Sequence, residues 1–288
     1  MTLATPPPPS LVVRIEQTEE THVVRQAEAL QALYPSCEVL IQHQRVAGGV
    51  AIRTLPQFEG KLSRIVGLGL HGSFTSQDLC NLESTYAAIG LHPEIHLCEY
   101  ADPSAGQVLT RAGYFSKGRL SVYCMDLEDS DGPVITQKGH QGKDTTVREV
   151  ASDVDREHFV AASIAGFADG GRPEELLGAL ARIAARRADT RLYVATTDAG
   201  EVVGTAALAV LGTHTVEESF GHLYLDSTVP MSRGRGAHVA LIQARLRAAK
   251  GMGLKLVTLS TREGSGSARN AERAGFTVAY RKEVYVKG

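Results

Sequence analysis

The sequence of 288 residues lacks several features that mark particular classes of protein. Its cysteines, Cys37, Cys80, Cys98 and Cys124, form no CxxC pair, so a zinc or redox site of that kind is not indicated. No basic segment with an apolar core opens the sequence and no window approaches 18 uninterrupted apolar residues, so neither a signal peptide nor a membrane span is expected. Lys and Arg total 30 against 32 Asp and Glu, which excludes a global basic field for nucleic acid. We therefore expect a cytoplasmic protein with no metal, membrane or nucleic-acid partner.

The composition is that of an ordinary folded protein, with 43% hydrophobic and 22% charged residues. The length exceeds the ~100–200 residues usual for one domain and predicts two. A polar, aperiodic stretch near residue 140 indicates a linker. We predict a disordered proline-rich tail over 1–10, in which four prolines favour polyproline II, one domain over 11–128, a linker over 129–145 and a second domain over 146–288.

Hydrophobic periodicity predicts an α/β fold in both halves. A short strand and then an amphipathic helix are expected over 11–36, a hairpin about Ala199–Gly200, and a closing pair of strands over 276–280 and 283–286. The motifs RAGY, ending at Tyr114, and RAGF, ending at Phe276, each follow a short helix and precede strands. Together with the similar order of elements upstream, this repeat favours duplication of one α/β unit.

The segment Val229–His238 joins a predicted strand to a predicted amphipathic helix. Gly234 and Gly236 let the backbone approach a ligand closely, helix-start N–H groups point outward, and Arg233 and Arg235 add positive charge. These features suit a phosphate or pyrophosphate, although a tight strand-to-helix turn is the simpler reading of the glycines alone. The segment matches neither the Walker loop nor the GxGxxG fingerprint.

The run Arg233-Gly-Arg-Gly-Ala, with the preceding LYLDSTVP and the following LKLVTLST and RNAERAGF, resembles the signature of the GNAT N-acetyltransferase superfamily. In that superfamily the pattern (Arg or Gln)-x-x-Gly-x-(Gly or Ala) binds the pyrophosphate of acetyl-CoA; the final small position is His238 here. The resemblance implies a mixed, mostly antiparallel sheet flanked by helices, with acetyl-CoA as cosubstrate. It also implies that the strand before the loop splays from its neighbour and offers backbone groups to pantetheine. The implied cofactor-binding residues are Ser227, Thr228, Val229, Arg233, Gly234, Arg235, Gly236, Ala237, His238 and Asn270.

Residues 37–127 resemble a degenerate copy of the same fold. Its corresponding segment, Leu70–Asp78, has no arginine and one glycine, so we expect it to bind no CoA. The whole arrangement is similar to bacterial aminoglycoside 2'-N-acetyltransferases of the kasugamycin-inactivating kind. The resemblance thus implies tandem GNAT domains, one working cofactor site and a small cationic acceptor.

Acetyl transfer requires a base that deprotonates the attacking amine and a proton source for the CoA thiolate. Many GNAT members carry a tyrosine as the acid where this sequence has Ala271. Hydroxyl groups that could replace it belong to Tyr224, Ser260, Ser265 and Ser267, each of which is otherwise a core or capping residue.

Candidate bases lie on the strand before the loop and on the approach to it. Strict alternation places Asp226, just before the expected bulge, on one face with Tyr224 and His222; His222 is a candidate base itself. Glu217 and Glu218 precede the strand, where a solvated turn is the alternative interpretation.

Two other functions remain open from the sequence. The missing tyrosine is compatible with a non-catalytic CoA-binding regulator, and an open groove would suit a protein or peptide N-acetyltransferase. The sequence leaves the oligomeric state open.

Overall fold

A computed structural model describes residues 7–128, 145–212 and 219–288. The described residues divide into two compact units. Unit 1 comprises 7–122, 261–263 and 278–288, and unit 2 comprises most of 123–260 together with 264–277. The predicted linker over 129–145 lies almost wholly outside the described residues.

Unit 1 contains the elements α1 (Pro9–Leu33), β1 (Gln42–Val46), β2 (Gly49–Arg53), β3 (Arg64–Val66), α2 (Ser76–Ala87), β4 (Ile95–Cys98), α3 (Pro103–Arg111), β5 (Tyr114–Asp126) and β11 (Thr277–Lys287). Its strands form a mixed sheet in the order β1-β2-β3-β4-β11-β5. The β1-β2 and β2-β3 pairs are antiparallel, β3 and β4 are parallel, and β11 is antiparallel to β4. Helix α2 is the crossover between the parallel strands, and it buries Leu79, Leu82 and Tyr86 in the core of the unit.

Unit 2 contains the elements β6 (Thr145–Glu149), α4 (Asp153–Phe167), α5 (Glu174–Arg186), β7 (Thr190–Thr197), β8 (Val202–Leu211), β9 (Phe220–Thr228), α6 (Ala237–Gly251), β10 (Leu256–Arg262) and α7 (Gly266–Arg273). It repeats the plan of unit 1 with the strand order β10-β9-β8-β7-β6. Strands β6 to β9 pair antiparallel, and β9 and β10 are parallel with α6 as the crossover. Val194 of β7 and Ala207 of β8 pack in one apolar cluster with Phe159 of α4 and Ala181 of α5.

The predicted fold class is confirmed: each unit has a mixed, largely antiparallel sheet with helices beside it. The strand-helix-strand-helix order β3-α2-β4-α3 in unit 1 matches β9-α6-β10-α7 in unit 2. The predicted hairpin about Ala199–Gly200 is β7-β8, with Gly200 at φ +83°.

Each unit contains a segment from the other half of the sequence. Residues 278–288 of β11 belong to unit 1, where Lys282 pairs with Cys98 and Tyr285 with Ile95 on β4. Residues 123–128 belong to unit 2. The sequence-based prediction assigns residues 11–128 to the first domain and residues 146–288 to the second.

Two local predictions are wrong. The strand expected near residue 11 is part of α1, because Pro9 stands at the first helical position, where proline's missing N–H costs no hydrogen bond. Pro9 and Ser10, which the prediction assigns to the Pro-rich tail, are thus the first residues of α1. Residues 1–6 lie outside the described part. The expected closing strand pair over 276–286 is the single strand β11.

Candidate functional site

Strands β9 and β10 of unit 2 begin side by side and then separate. Their parallel register runs from Phe220–Leu256 to Leu223–Leu259, after which β9 continues without β10 to Thr228. Parallel strands that part at their carboxyl ends leave a crevice, which is where α/β sheets bind ligands. The chain then turns through a short 3-10 helix, Pro230–Ser232, into α6.

The loop before α6 presents unpaired backbone donors. Gly234 and Gly236 have φ of +77° and +85°, the left-handed region that glycine adopts readily. Gly236 is the N-cap and provides no side-chain cap, and the first helical bond runs from the Ala240 N–H to the Gly236 carbonyl. Within the described residues, the six N–H groups of 234–239 have no hydrogen-bond acceptor. Successive N–H groups at a helix start form an anion-binding site.

The two arginines of this loop have different surroundings. The Arg233 guanidinium binds the Asp169 carboxylate through two hydrogen bonds of 2.5 and 2.8 Å, and it also donates to the carbonyls of Gly166 and Thr228. The hydrogen bonds from Arg233 to the Asp169 carboxylate lower the pKa of Asp169 below its ordinary value. Arg235 is exposed and makes no side-chain hydrogen bond or ion pair with any described residue. Arg233 therefore braces the loop, and Arg235 is the arginine with a free charge.

The equivalent helix start in unit 1 is closed. Thr75 caps α2 by accepting from the Asp78 N–H at 3.1 Å, and the Asp78 carboxylate accepts from the Thr75 N–H at 2.9 Å. This capping box satisfies two of the helix-start donors and adds a negative charge where an anion would bind. Of the two crossover helices α2 and α6, only α6 is open to a phosphate.

A β-bulge interrupts β9 just where it separates from β10. Thr205 of β8 pairs with Ser227, but Ala207 pairs with Tyr224, so β9 contains one extra residue. Leu225, inside this bulge, has φ +56°. A branched residue in the left-handed region costs on the order of 1–2 kcal/mol, so the surrounding contacts must hold it there.

The bulge changes which face of the strand Asp226 occupies. The prediction that Asp226 shares a face with Tyr224 and His222 is wrong, because one extra residue reverses the alternation. The Tyr224 ring stacks with His222 and packs on the core formed by α4 and α5. The Asp226 side chain instead contacts His238 and Arg245 of α6.

The Asp226 carboxylate is fully engaged in this position. Its Oδ2 accepts from Arg245 Nη1 at 3.0 Å, and its Oδ1 accepts from Arg245 Nη2 and lies 3.2 Å from His238 Nε2. Burial alone would raise the pKa of Asp226, but the Arg245 charge and the His238 hydrogen bond hold it below its ordinary value. A carboxylate stabilised in its ionised form is a weak base.

His238 and Asn270 are brought together as a pair. Asn270 Nδ2 and His238 Nδ1 lie 2.6 Å apart, and Arg273 reaches Asn270 Oδ1 at 3.4 Å. Two predicted cofactor residues from α6 and α7 thus form one chain of contacts that ends at Asp226.

Other predicted residues have structural partners of their own. The Tyr224 hydroxyl lies 3.0 Å from Thr190 Oγ1, and burial raises the pKa of Tyr224 to about 12, against the effect of the nearby Arg187 charge. Ser265 Oγ caps α7 by accepting from the Ala268 N–H at 3.1 Å. Glu217 and Glu218 lie outside the described residues.

The strand-end residues assigned to pantetheine are partly engaged already. The Val229 N–H donates to the Val203 carbonyl at 2.9 Å, and Ser227 Oγ is 2.8 Å from Thr205 Oγ1. The Thr228 carbonyl is the one that accepts from Arg233.

Sequence reasoning missed Arg245 and Ser163. Arg245 is completely buried on α6. The sequence signal that could have identified it is a cation on the same helix stripe as the buried Leu241 and Leu246. Ser163 is 1% exposed on α4, and its hydroxyl has no hydrogen-bond partner among the described residues. It lies one turn before Gly166, where an added Cβ would be 2.5 Å from Ser227 Oγ.

Neither a metal cluster nor a membrane-spanning helix is found in the described parts of the chain. No group of three His, Cys, Asp or Glu side chains there is arranged to hold a metal ion. No described helix combines the length and apolar character needed to cross a bilayer.

No protein-family model and no curated protein matches the sequence. Solved structures do match: a GCN5-related N-acetyltransferase from Kribbella flavida is 17% identical, with a TM-score of 0.61 over 91% of this chain and 95% of that one. A tandem GNAT protein from the clavulanic acid biosynthesis pathway is 13% identical, with a TM-score of 0.56 over 84% of this chain and 80% of that one. A GCN5-related glucosamine N-acetyltransferase region of a fungal multi-domain GH3 β-N-acetylglucosaminidase is 14% identical, with a TM-score of 0.57 over 85% of this chain and 31% of that one. The chain therefore has the fold of the GCN5-related N-acetyltransferases, with a tandem GNAT protein among its structural neighbours.

Proposed function

We propose that the chain is an acetyl-CoA-dependent N-acetyltransferase whose cofactor binds to unit 2. The observation that carries this proposal is the uncapped start of α6, with six unpaired N–H groups beside the crevice between β9 and β10, in a chain that has the GNAT fold. The N–H groups of 234–239 and the Arg235 guanidinium bind the pyrophosphate. Unit 1 binds no CoA, because its own side chains cap α2.

In the proposed reaction the acceptor amine attacks the thioester carbonyl directly. The carbon-sulfur bond breaks, the acetyl group forms an amide and CoA leaves as a thiolate that takes up a proton. The bulge in β9 is the site we assign to the acetyl carbonyl, because a bulge disrupts the ladder and leaves backbone donors for the developing oxyanion. The Asp226 carboxylate is saturated by α6, so we assign the base role to Glu217 or Glu218.

For the acceptor we propose an amino sugar of the aminoglycoside class, such as kasugamycin. The sequence resemblance supports this choice, as does the neighbour described as a glucosamine N-acetyltransferase region. An ammonium-bearing acceptor also suits a chain with a net charge of -2. Acetylation would then inactivate the antibiotic.

Cofactor binding is tested by titrating two variants, Gly234→Ala and its control Gly200→Ala, with CoA in a calorimeter. Both glycines have left-handed φ, +77° and +83°, and open space where a Cβ would be added. Both variants should lose about 1 kcal/mol of stability. Only Gly234→Ala should weaken CoA binding, because it alone tilts the phosphate-binding N–H groups; equal CoA affinity in the two variants would refute the site.

Catalysis is tested by following free thiol in mixtures of acetyl-CoA and kasugamycin. Thiol release that depends on the acceptor is the expected result. CoA binding with no thiol release from kasugamycin or other amino sugars would reject this acceptor class. If no amine at all were acetylated, the chain would be a CoA-binding regulator and not an enzyme.

A further inference from the structure

Arg245 connects the two strands on either side of the bulge. Its Nη1 donates to the Ala207 carbonyl at 3.0 Å, and Ala207 is the β8 residue at which the register shifts. The same guanidinium holds both carboxylate oxygens of Asp226, which follows Leu225 in β9. Its Nε donates to the Leu241 carbonyl one turn earlier on α6. Arg245 is therefore fixed at its own helix and holds both strands.

His238 extends this connection to the phosphate-binding loop. It follows Ala237, the first residue of α6, and its Nε2 lies 3.2 Å from the same Oδ1 of Asp226 that Arg245 holds. His238 and Arg245 are seven residues apart, which is about two helical turns. Two side chains from one face of α6, those of His238 and Arg245, therefore contact a single carboxylate in the bulge. His238 lies in the first turn of α6, next to the phosphate-binding loop.

Solvent does not reach the Arg245 end of this network. The Arg245 side chain is 0% exposed, and that of Asp226 is 18% exposed. A buried guanidinium keeps its position only while its carboxylate and carbonyl partners remain in place. Leu225 has a left-handed φ between these fixed points, so its conformation depends on them.

We propose that Arg245 is a positioning residue that holds the β9 bulge in the shape that receives the acetyl carbonyl. The inference rests on the proposed function. It assigns Arg245 and Asp226 to acetyl placement, and it does not make either of them an acid or a base.

The test observes the carbonyl itself, so that no acceptor is needed. Acetyl-CoA labelled with ¹³C at the carbonyl is bound to the wild-type protein, and a backbone hydrogen bond to the carbonyl should move its NMR signal downfield. In Arg245→Met the signal should return toward its position in free acetyl-CoA, while the affinity for CoA, measured by titration, stays at the wild-type value. With an active acceptor, kcat should fall about 100-fold with little change in the KM for acetyl-CoA, as expected for a misplaced reacting group.

The matched control is Arg187→Met, which removes another buried arginine of unit 2. Arg187 pairs with Asp189 at 2.8 and 2.9 Å, and its guanidinium lies 5.8 Å from the centre of the Tyr224 ring, on the face of β9 opposite Asp226. The Arg187→Met variant should lose stability to a similar degree as Arg245→Met and should keep the downfield carbonyl signal. If Arg245→Met does not fold, Arg245→Lys serves instead, since lysine can pair with Asp226 but cannot also reach both carbonyls; it should give a partial displacement.

The outcomes separate the two proposals. A wild-type protein that binds neither CoA nor acetyl-CoA contradicts the proposed function. A wild-type protein that binds acetyl-CoA without moving the carbonyl signal contradicts the role of the bulge. A displacement that survives in the Arg245 variants, or is lost equally in Arg187→Met, overturns the role of Arg245.

Discussion

At the scale of single residues, the loop before α6 separates two arginines that look equivalent in sequence. The Arg233 guanidinium is bound by Asp169, Gly166 and Thr228, whereas Arg235 has no such partner among the described residues. The first holds the end of α4 next to the loop. The second is available to a ligand.

Arg235→Ala and Asp169→Asn should therefore differ in their effects. Losing a charge-assisted hydrogen bond to phosphate costs about 1.5–3 kcal/mol, so Arg235→Ala should raise the Kd for CoA roughly 10- to 100-fold with the melting temperature unchanged. Asp169→Asn should lower the melting temperature and change the Kd less. Titration calorimetry and thermal melts check both; a larger loss of affinity in Asp169→Asn would show that the brace matters more than the free charge.

The residue scale also shows where sequence reasoning reaches its limit. The glycine loop was predictable because left-handed glycines and a helix start are local features. The position of Asp226 was not, because a period of two assumes an unbroken ladder and one extra residue in β9 moved this side chain to the opposite face. The partner of Asp226 could have been found: Arg245 is a cation on the buried stripe of α6, and such a cation requires a buried anion.

At the scale of elements, strand β11 enters unit 1 with a buried lysine. Lys282 is 0% exposed and lies 2.5 Å from carboxylate oxygens of both Glu16 and Glu19 on α1. The Tyr280 hydroxyl also donates to Glu16. This cluster fixes the register of β11 against α1, since a shift of one residue would bury the charge without its partners.

Lys282→Met should destabilise unit 1 by about 3–5 kcal/mol, because it leaves two carboxylates without their cation. Urea unfolding monitored by circular dichroism measures this loss. Leu97→Ala on β4, which shortens an apolar side chain in the same unit, is the comparison. Its loss should be independent of pH, whereas the loss in Lys282→Met should shrink in acid as the carboxylates become protonated.

Glu19 gives unit 1 a specific acid dependence. Burial opposes its ionisation, but the Lys282 charge prevails and lowers the pKa of Glu19 to about 2, against 4.5 ordinarily. A lowered folded-state pKa contributes stability above pH 4.5 that is lost as the pH falls towards 2. The buried Glu16 acts in the opposite direction, because burial raises its pKa. The difference in melting temperature between wild type and Glu19→Gln should therefore shrink across pH 4.5 to 2; a constant difference would contradict this assignment.

At the scale of the whole molecule, the sequence predicted two copies of one α/β unit but not the exchange of segments between them. The residues of β11 have the pattern of a strand, but the pattern does not indicate which strand they pair with. Their partner β4 lies far away in the sequence. Tyr123 and Leu127 also have partners far away in the sequence, within unit 2. The Tyr123 hydroxyl donates to Glu272 at 2.8 Å, and the Leu127 N–H donates to the Lys255 carbonyl at 2.8 Å. Local patterns indicate that a strand exists, but they do not indicate which strands it pairs with.

A fragment comprising residues 145–288 should consequently fail to fold. It lacks the 123–128 segment of unit 2, and its own β11 lacks β4. Circular dichroism and analytical gel filtration should show an unfolded or aggregated fragment, and co-expression with residues 1–128 should restore soluble protein that binds CoA. A folded, CoA-binding fragment on its own would show that the exchanged segments are dispensable.

The exchange of β11 also sets the order of events during synthesis on the ribosome. The Arg281 N–H donates to the Glu99 carboxylate, a partner 182 residues earlier in the chain. Translation proceeds at about 5–20 residues per second, so the strands of unit 1 wait roughly ten seconds or more for the one that belongs between β4 and β5. During that interval the open edges of β4 and β5 are exposed to other nascent chains. The half of the molecule that is made first is therefore the half that must be protected longest.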